Sequence, residues 1–85
     1  MSQWRIVLLR PAQNYLERLP SHERKHVLDV LDQLANDPGR APVKPLKGRP
    51  EWSLRMGDRR ALVRVERESR TFFVTRIGPR GDVYK

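Results

Sequence analysis

The 85-residue sequence predicts an α+β domain of order β-α-α-β-β-β, with an antiparallel sheet carrying two N-terminal helices on one face. Three observations lead there. Residues 4–9 are apolar and rich in β-branched types. Residues 11–35 carry apolar side chains at helical spacing, interrupted once by proline. Residues 51–77 read as three alternating strands separated by tight turn signals.

The first strand covers residues 4–9 and stops at Arg10-Pro11. Pro11 suits a first helical turn, where its missing N–H costs nothing. Ala12, Tyr15, Leu16 and Leu19 then line one face of a short helix. Pro20 breaks it, and Ser21 is the expected N-cap of a second helix. Val27, Leu28, Leu31, Leu34 and Ala35 form that helix's apolar stripe, which ends at Asn36-Asp37-Pro38-Gly39. Residues 40–50, with Pro42, Pro45, Gly48 and Pro50, read as an irregular extended connection exposing Lys44 and Lys47. Strands follow at residues 51–56, 59–66 and 71–77, with Gly57-Asp58 as a hairpin turn and Glu68-Ser69-Arg70 as a second turn. Gly78-Pro79 ends the last strand, and residues 80–85 are expected along the sheet edge. The length predicts one domain, residues 1–85, with a thin core.

Composition narrows the function. No apolar run approaches the roughly 18 residues of a membrane span, and the sequence has no cysteine for disulfides or thiolate metal sites. Both point to a cytoplasmic protein. The formal charge is +8, and it is segregated. Residues 1–39 hold five basic and five acidic side chains, whereas residues 40–85 hold thirteen basic and five acidic. Arginines outnumber lysines 14 to 4. The guanidinium fork matches phosphate and keeps its proton, so the second half is a surface for a polyanion or an acidic partner.

Strand alternation separates the duties of the sheet. Leu54, Met56, Ala61, Val63 and Val65 are expected to face the helices, leaving Ser53, Arg55, Arg60 and Arg64 on the open face. Arg80 can join them from the end of the last strand, with Lys44 and Lys47 at the rim. The competing structural reading is an ion-pair lattice with Asp58, Glu66 and Glu68. Grouped guanidiniums suit a phosphodiester, because displacement at phosphorus builds charge on the non-bridging oxygens. RNA brings its own nucleophile, the 2′-hydroxyl. Tyr84 is the other candidate for proton transfer.

Two motifs argue for less than they suggest. His22-Glu23-Arg24-Lys25-His26 matches the H-E-x-x-H zinc pattern, but it opens a charged helix and no third histidine exists. A solvated helix start is the better reading. Trp4 and Trp52 read as core or sheet-edge packing rather than base-stacking platforms.

The run Lys47-Gly48-Arg49-Pro50-Glu51-Trp52-Ser53-Leu54-Arg55-Met56-Gly57-Asp58-Arg59-Arg60-Ala61-Leu62-Val63-Arg64-Val65, followed by Arg76-Ile77-Gly78-Pro79-Arg80-Gly81-Asp82-Val83-Tyr84, resembles the RelE branch of the RelE/ParE toxin superfamily. The Leu19-Pro20 break between the helices matches as well. The resemblance implies a bacterial type II toxin, an mRNA interferase that enters the ribosomal A site and cuts mRNA by 2′-hydroxyl attack without a metal or other cofactor. Carried over by position, it implies catalytic roles for Arg55, Arg60, Arg80 and Tyr84. By region it implies RNA or ribosome contacts for Lys44, Lys47, Arg49 and Arg64. It also implies a RelB-like antitoxin partner with an acidic, partly disordered segment. Three positions depart from the family pattern: Ser53 replaces a lysine proposed as general base, Arg59 replaces an aromatic, and the chain ends one residue after Tyr84. A ParE-like gyrase inhibitor on the same fold, and a non-catalytic RNA-binding module, are the rival functions.

Overall fold

A computed structural model describes residues 3–79. Its elements are β1 (Arg5–Leu8), α1 (Arg10–Glu17), α2 (Ser21–Asn36), β2 (Val43–Pro45), β3 (Trp52–Met56), β4 (Arg59–Glu66) and β5 (Thr71–Pro79). The class is α+β, and the five strands form one sheet in the order β1-β5-β4-β3-β2. β2 through β5 pair antiparallel. β1 pairs with β5 in parallel, Arg5 opposite Thr71 and Leu8 opposite Val74. The sheet is therefore mixed, not antiparallel throughout. The two helices carry the chain from the β1 edge across to the β2 edge, so the last strand inserts beside the first.

The apolar periodicity produces a single core. Ala12 and Leu16 of α1 and Val27, Leu31 and Leu34 of α2 bury against Leu54, Met56, Ala61, Val63, Phe72, Val74 and Ile77 of the sheet. Trp4 stacks on Phe72 with ring centroids 4.5 Å apart, in keeping with its reading as a packing residue. Leu28, expected in the α2 stripe, is 45% exposed. It borders a hollow with Ile6 and Leu8 of β1, and β1 is the sheet edge, so no further strand among the described residues covers it. Val65 is only half-buried.

The helix starts differ in detail from expectation. Arg10 opens α1 with Leu9 as N-cap, and Pro11 sits within the first turn. Pro20, not Ser21, is the N-cap of α2, and no side chain caps it. The corner is held instead by Arg24, whose Nη2 donates to the Leu19 carbonyl at 2.9 Å and whose backbone N–H donates to Pro20 at 2.9 Å.

Two features of the sheet position the site. Gly57 and Asp58 form the two-residue turn between β3 and β4, with Gly57 at φ +67. A glycine with positive φ at the first turn position suits the twist of a tight hairpin. In β5, the register slips between Leu62 and Val63 of β4, so that Leu62 faces Arg76 but Val63 faces Val74. Thr75 is the extra residue of this bulge, and its Oγ1 donates to the Leu62 carbonyl at 3.2 Å. The bulge resets the alternation. Val74 and Ile77 both reach the core, although three residues apart, and Arg76 is turned outward.

Candidate nucleic-acid interface

Hairpin register brings the first two site residues together. Arg55 of β3 and Arg60 of β4 are direct cross-strand partners. The Arg55 N–H is given to the Pro42 carbonyl on the opposite side, at 2.9 Å. The Arg55–Arg60 pair is therefore of the non-hydrogen-bonded type, which brings side chains closest, with Cα atoms about 4.5 Å apart. Like charges so placed are destabilising by a few tenths to about 1 kcal/mol.

The neighbouring row crosses four strands. Lys44 of β2 pairs with Ser53 of β3, Ser53 with Leu62 of β4, and Leu62 with Arg76 of β5. Ser53 is only 2% exposed and Leu62 is also buried, so the middle of the row is a closed floor with a cation at either end. Lys44, Ser53, Arg55 and Arg60, with residues 41–43, line a hollow of about 240 Å³. Arg55 and Arg60 also border a second hollow with Gly57 and Asp58 at the hairpin tip. Arg64, exposed and opposite Phe73, lies farther along β4.

The competing ion-pair lattice is not formed among the described residues. Lys44, Arg55, Arg60 and Arg64 have no ion pair or side-chain hydrogen bond there. Glu66 instead accepts a hydrogen bond from Ser69 Oγ at 2.6 Å. Arg49 does pair, with Glu51 at 3.4 Å, and Lys47 lies exposed in the turn before β3. Arg80 and Tyr84 fall outside the described residues.

Arg59 has the opposite fate to its neighbour Arg60. It points to the helix side, where Nη2 pairs with Glu23 and Nε donates to Tyr15 Oη at 3.1 Å. These bonds, the Glu23 one first, raise its pKa above the ordinary arginine value. Arg59 thus ties α1 and α2 to the hairpin. The same contact occupies Glu23, the would-be base of the H-E-x-x-H run, while His26 lies over the turn, 3.7 Å from where a Cβ on Gly57 would sit. Among the described residues no group of three or more His, Cys, Asp or Glu could hold a metal, and no helix is long and apolar enough to cross a membrane.

One member of this face, Arg76, was missed in the sequence, and another, Lys44, was placed on the wrong kind of element. Arg76 reaches it only through the bulge, and the signal was the three-residue spacing of Val74 and Ile77. Lys44 was read as a rim residue of an irregular loop, yet it sits on a strand directly opposite Ser53.

No protein-family model and no curated protein matches the sequence. Solved structures do. The RelBE toxin–antitoxin complex of Mycobacterium tuberculosis is 26% identical, with a TM-score of 0.79, covering 92% of this chain and 99% of that one. The archaeal RelE–RelB complex of Pyrococcus horikoshii is 23% identical, with a TM-score of 0.78, covering 96% and 99%. A YoeB/ParE toxin from Agrobacterium tumefaciens is 20% identical, with a TM-score of 0.73, covering 88% and 96%.

Proposed function

We propose that this chain, RelE-like in fold and similar to toxins of the RelE/ParE superfamily, is a type II toxin that cleaves mRNA on the ribosome. The observation that carries the reading is the Arg55–Arg60 pair. Two guanidiniums are held side by side, neither ion-paired to a carboxylate among the described residues, above a hollow that also takes Lys44 and Ser53. Such a pair has a standing cost in repulsion that an RNA phosphate relieves.

In this reading the scissile phosphate sits between Arg55 and Arg60. The adjoining 2′-hydroxyl attacks phosphorus in line with the departing 5′-oxygen, and the guanidiniums hold the charge that grows on the non-bridging oxygens. The nucleophile belongs to the substrate, so the chemistry requires neither a metal-activated water nor a cofactor. Arg80 and Tyr84 complete the catalytic set, Arg80 on the transition-state charge and Tyr84 against the nucleotide. Lys44, Lys47 and Arg64 contact the RNA backbone or ribosome, and Arg49 does so from its pairing with Glu51. The partner that restrains the toxin in its cell is a RelB-like antitoxin whose acidic segment folds onto this surface. It is supported by neighbours that are themselves RelB–RelE complexes. The protein acts in the bacterial cytoplasm.

Induction of the chain alone in bacteria, with mRNA ends mapped by primer extension, tests this. New ends at codon positions that vanish with Arg60→Ala or Arg80→Ala, both variants remaining folded, are the expected result. The YoeB/ParE neighbour favours one alternative, a ParE-like gyrase inhibitor. Growth arrest that survives both substitutions and is accompanied by gyrase-linked DNA breaks would establish it instead.

A further inference from the structure

Strand β2 changes the chemistry available in the hollow. Its other cations, Arg55 and Arg60, are guanidiniums, which offset charge but do not readily give up a proton. Ser53 forms the buried floor. Lys44 is the one amine among the described residues lining it, and it is exposed, with no ion pair or side-chain hydrogen bond among those residues. The β2–β3 register sets Lys44 directly opposite Ser53, one position along from the Arg55–Arg60 row. Strands about 4.8 Å apart put the Lys44 backbone roughly 10 Å from β4, and Lys44, Arg55 and Arg60 line the same hollow.

Resting on the RNA-cleavage reading, we infer that Lys44 is a catalytic residue whose ammonium protonates the departing 5′-oxygen of the linkage held by Arg55 and Arg60. An ammonium is a donor, and the departing oxygen is the atom in this displacement that must acquire a proton. The 2′-oxygen bonds to phosphorus as the bond from phosphorus to the 5′-oxygen breaks. The 5′-oxygen takes the Lys44 proton, the 2′-hydroxyl proton passes to solvent, and the amine is reprotonated from solvent. The products are a 2′,3′-cyclic phosphate and a free 5′-hydroxyl, and the step is proton-neutral overall.

The test compares Lys44→Arg with the unaltered protein on ribosome-bound mRNA carrying either a natural linkage or a bridging 5′-sulfur at the cleavage site. A sulfur leaving group departs as a thiolate and needs no proton. Arginine keeps the charge, so RNA affinity should stay within about 3-fold, while cleavage of the natural linkage should slow about 100-fold, the usual scale of a general acid. Cleavage of the sulfur linkage should stay within about 3-fold of the unaltered protein. Lys44→Arg cutting the natural linkage at full rate, or being equally slow on both linkages, removes the proton-donor role and leaves the nuclease reading standing. Failure of the unaltered protein to cut either linkage overturns both.

Discussion

Arg59 and Arg60 are chemically identical neighbours, and the fold gives them opposite consequences on substitution. Arg59 loses two tertiary bonds when truncated to alanine. Its pairing with Glu23 involves side chains 22% and 33% exposed, so a charge-assisted bond of about 1–2 kcal/mol is appropriate, below the fully buried range. The Tyr15 hydroxyl, at 3.1 Å, adds about 0.5–1 kcal/mol. Arg59→Ala should therefore cost about 2 kcal/mol. In a domain of this size that lowers Tm by roughly 10 °C. Arg60→Thr should do the reverse. It removes the like-charge neighbour of Arg55 and breaks no bond among the described residues, so stability should be unchanged or rise by up to about 0.5 kcal/mol. Cleavage should nevertheless fall at least about 100-fold.

Urea unfolding of the single variants, with a Glu23→Gln/Arg59→Ala double-mutant cycle, measures the first half, and mRNA cleavage at equal folded concentration measures the second. The cycle should return a coupling of about 1 kcal/mol, and Tyr15→Phe should be non-additive with Glu23→Gln because both act on one guanidinium. A coupling below about 0.3 kcal/mol would refute the clamp. If Arg60→Thr destabilises the protein as much as Arg59→Ala does, Arg60 is a structural residue and the argument from an unpaired cation fails.

Other substitutions test the backbone and the charge. Arg70 sits at φ 52 in the turn before β5, a region disfavoured for a side chain, so Arg70→Gly should stabilise by about 0.5–1 kcal/mol in urea unfolding. Gly57→Ala should cost about 1–2 kcal/mol, from the φ of +67 rather than from crowding, since the nearest atom, His26 Nε2, is at ordinary contact distance of 3.7 Å. Binding to a single-stranded RNA through about three phosphates should give a slope of log affinity against log salt near −2, and Arg60→Ala should reduce its magnitude by about 0.7; an unchanged slope would place Arg60 off the RNA.

What was legible in the sequence was local. The core stripes of α1 and α2 follow from a period of 3.6, and the Arg55–Arg60 pairing follows from Gly57-Asp58, because a two-residue turn sets hairpin register. Pairings between distant segments were not legible. Nothing around residues 5–8 indicates that their partner is residues 71–74, or that the pairing is parallel. β2 was obscured by Pro42 and Pro45, which argue against a strand; at the sheet edge a proline is tolerated, because its missing N–H can face outward. Arg76 was obscured by simple alternation, which aims it with Val74 at the core, until a single inserted residue, Thr75, reverses it.

These non-local features set which cations share the open face. With regular alternation and no β2, the open face would carry Arg55, Arg60 and Arg64 as a flat stripe, adequate for holding RNA by charge alone. The β2 edge adds an amine beside the first pair, and the bulge adds Arg76 across the closed floor of Ser53 and Leu62. The stripe becomes a bounded hollow with two kinds of cation around it, one kind able to give up a proton. Repulsion among these groups would tend to splay the hairpin, and Arg59 opposes that from the reverse side by anchoring β4 to Tyr15 and Glu23. Glu23 serves the helix-side anchor, and the positive charge of Arg55 and Arg60, without an ion pair among the described residues, stands on the face turned away from it.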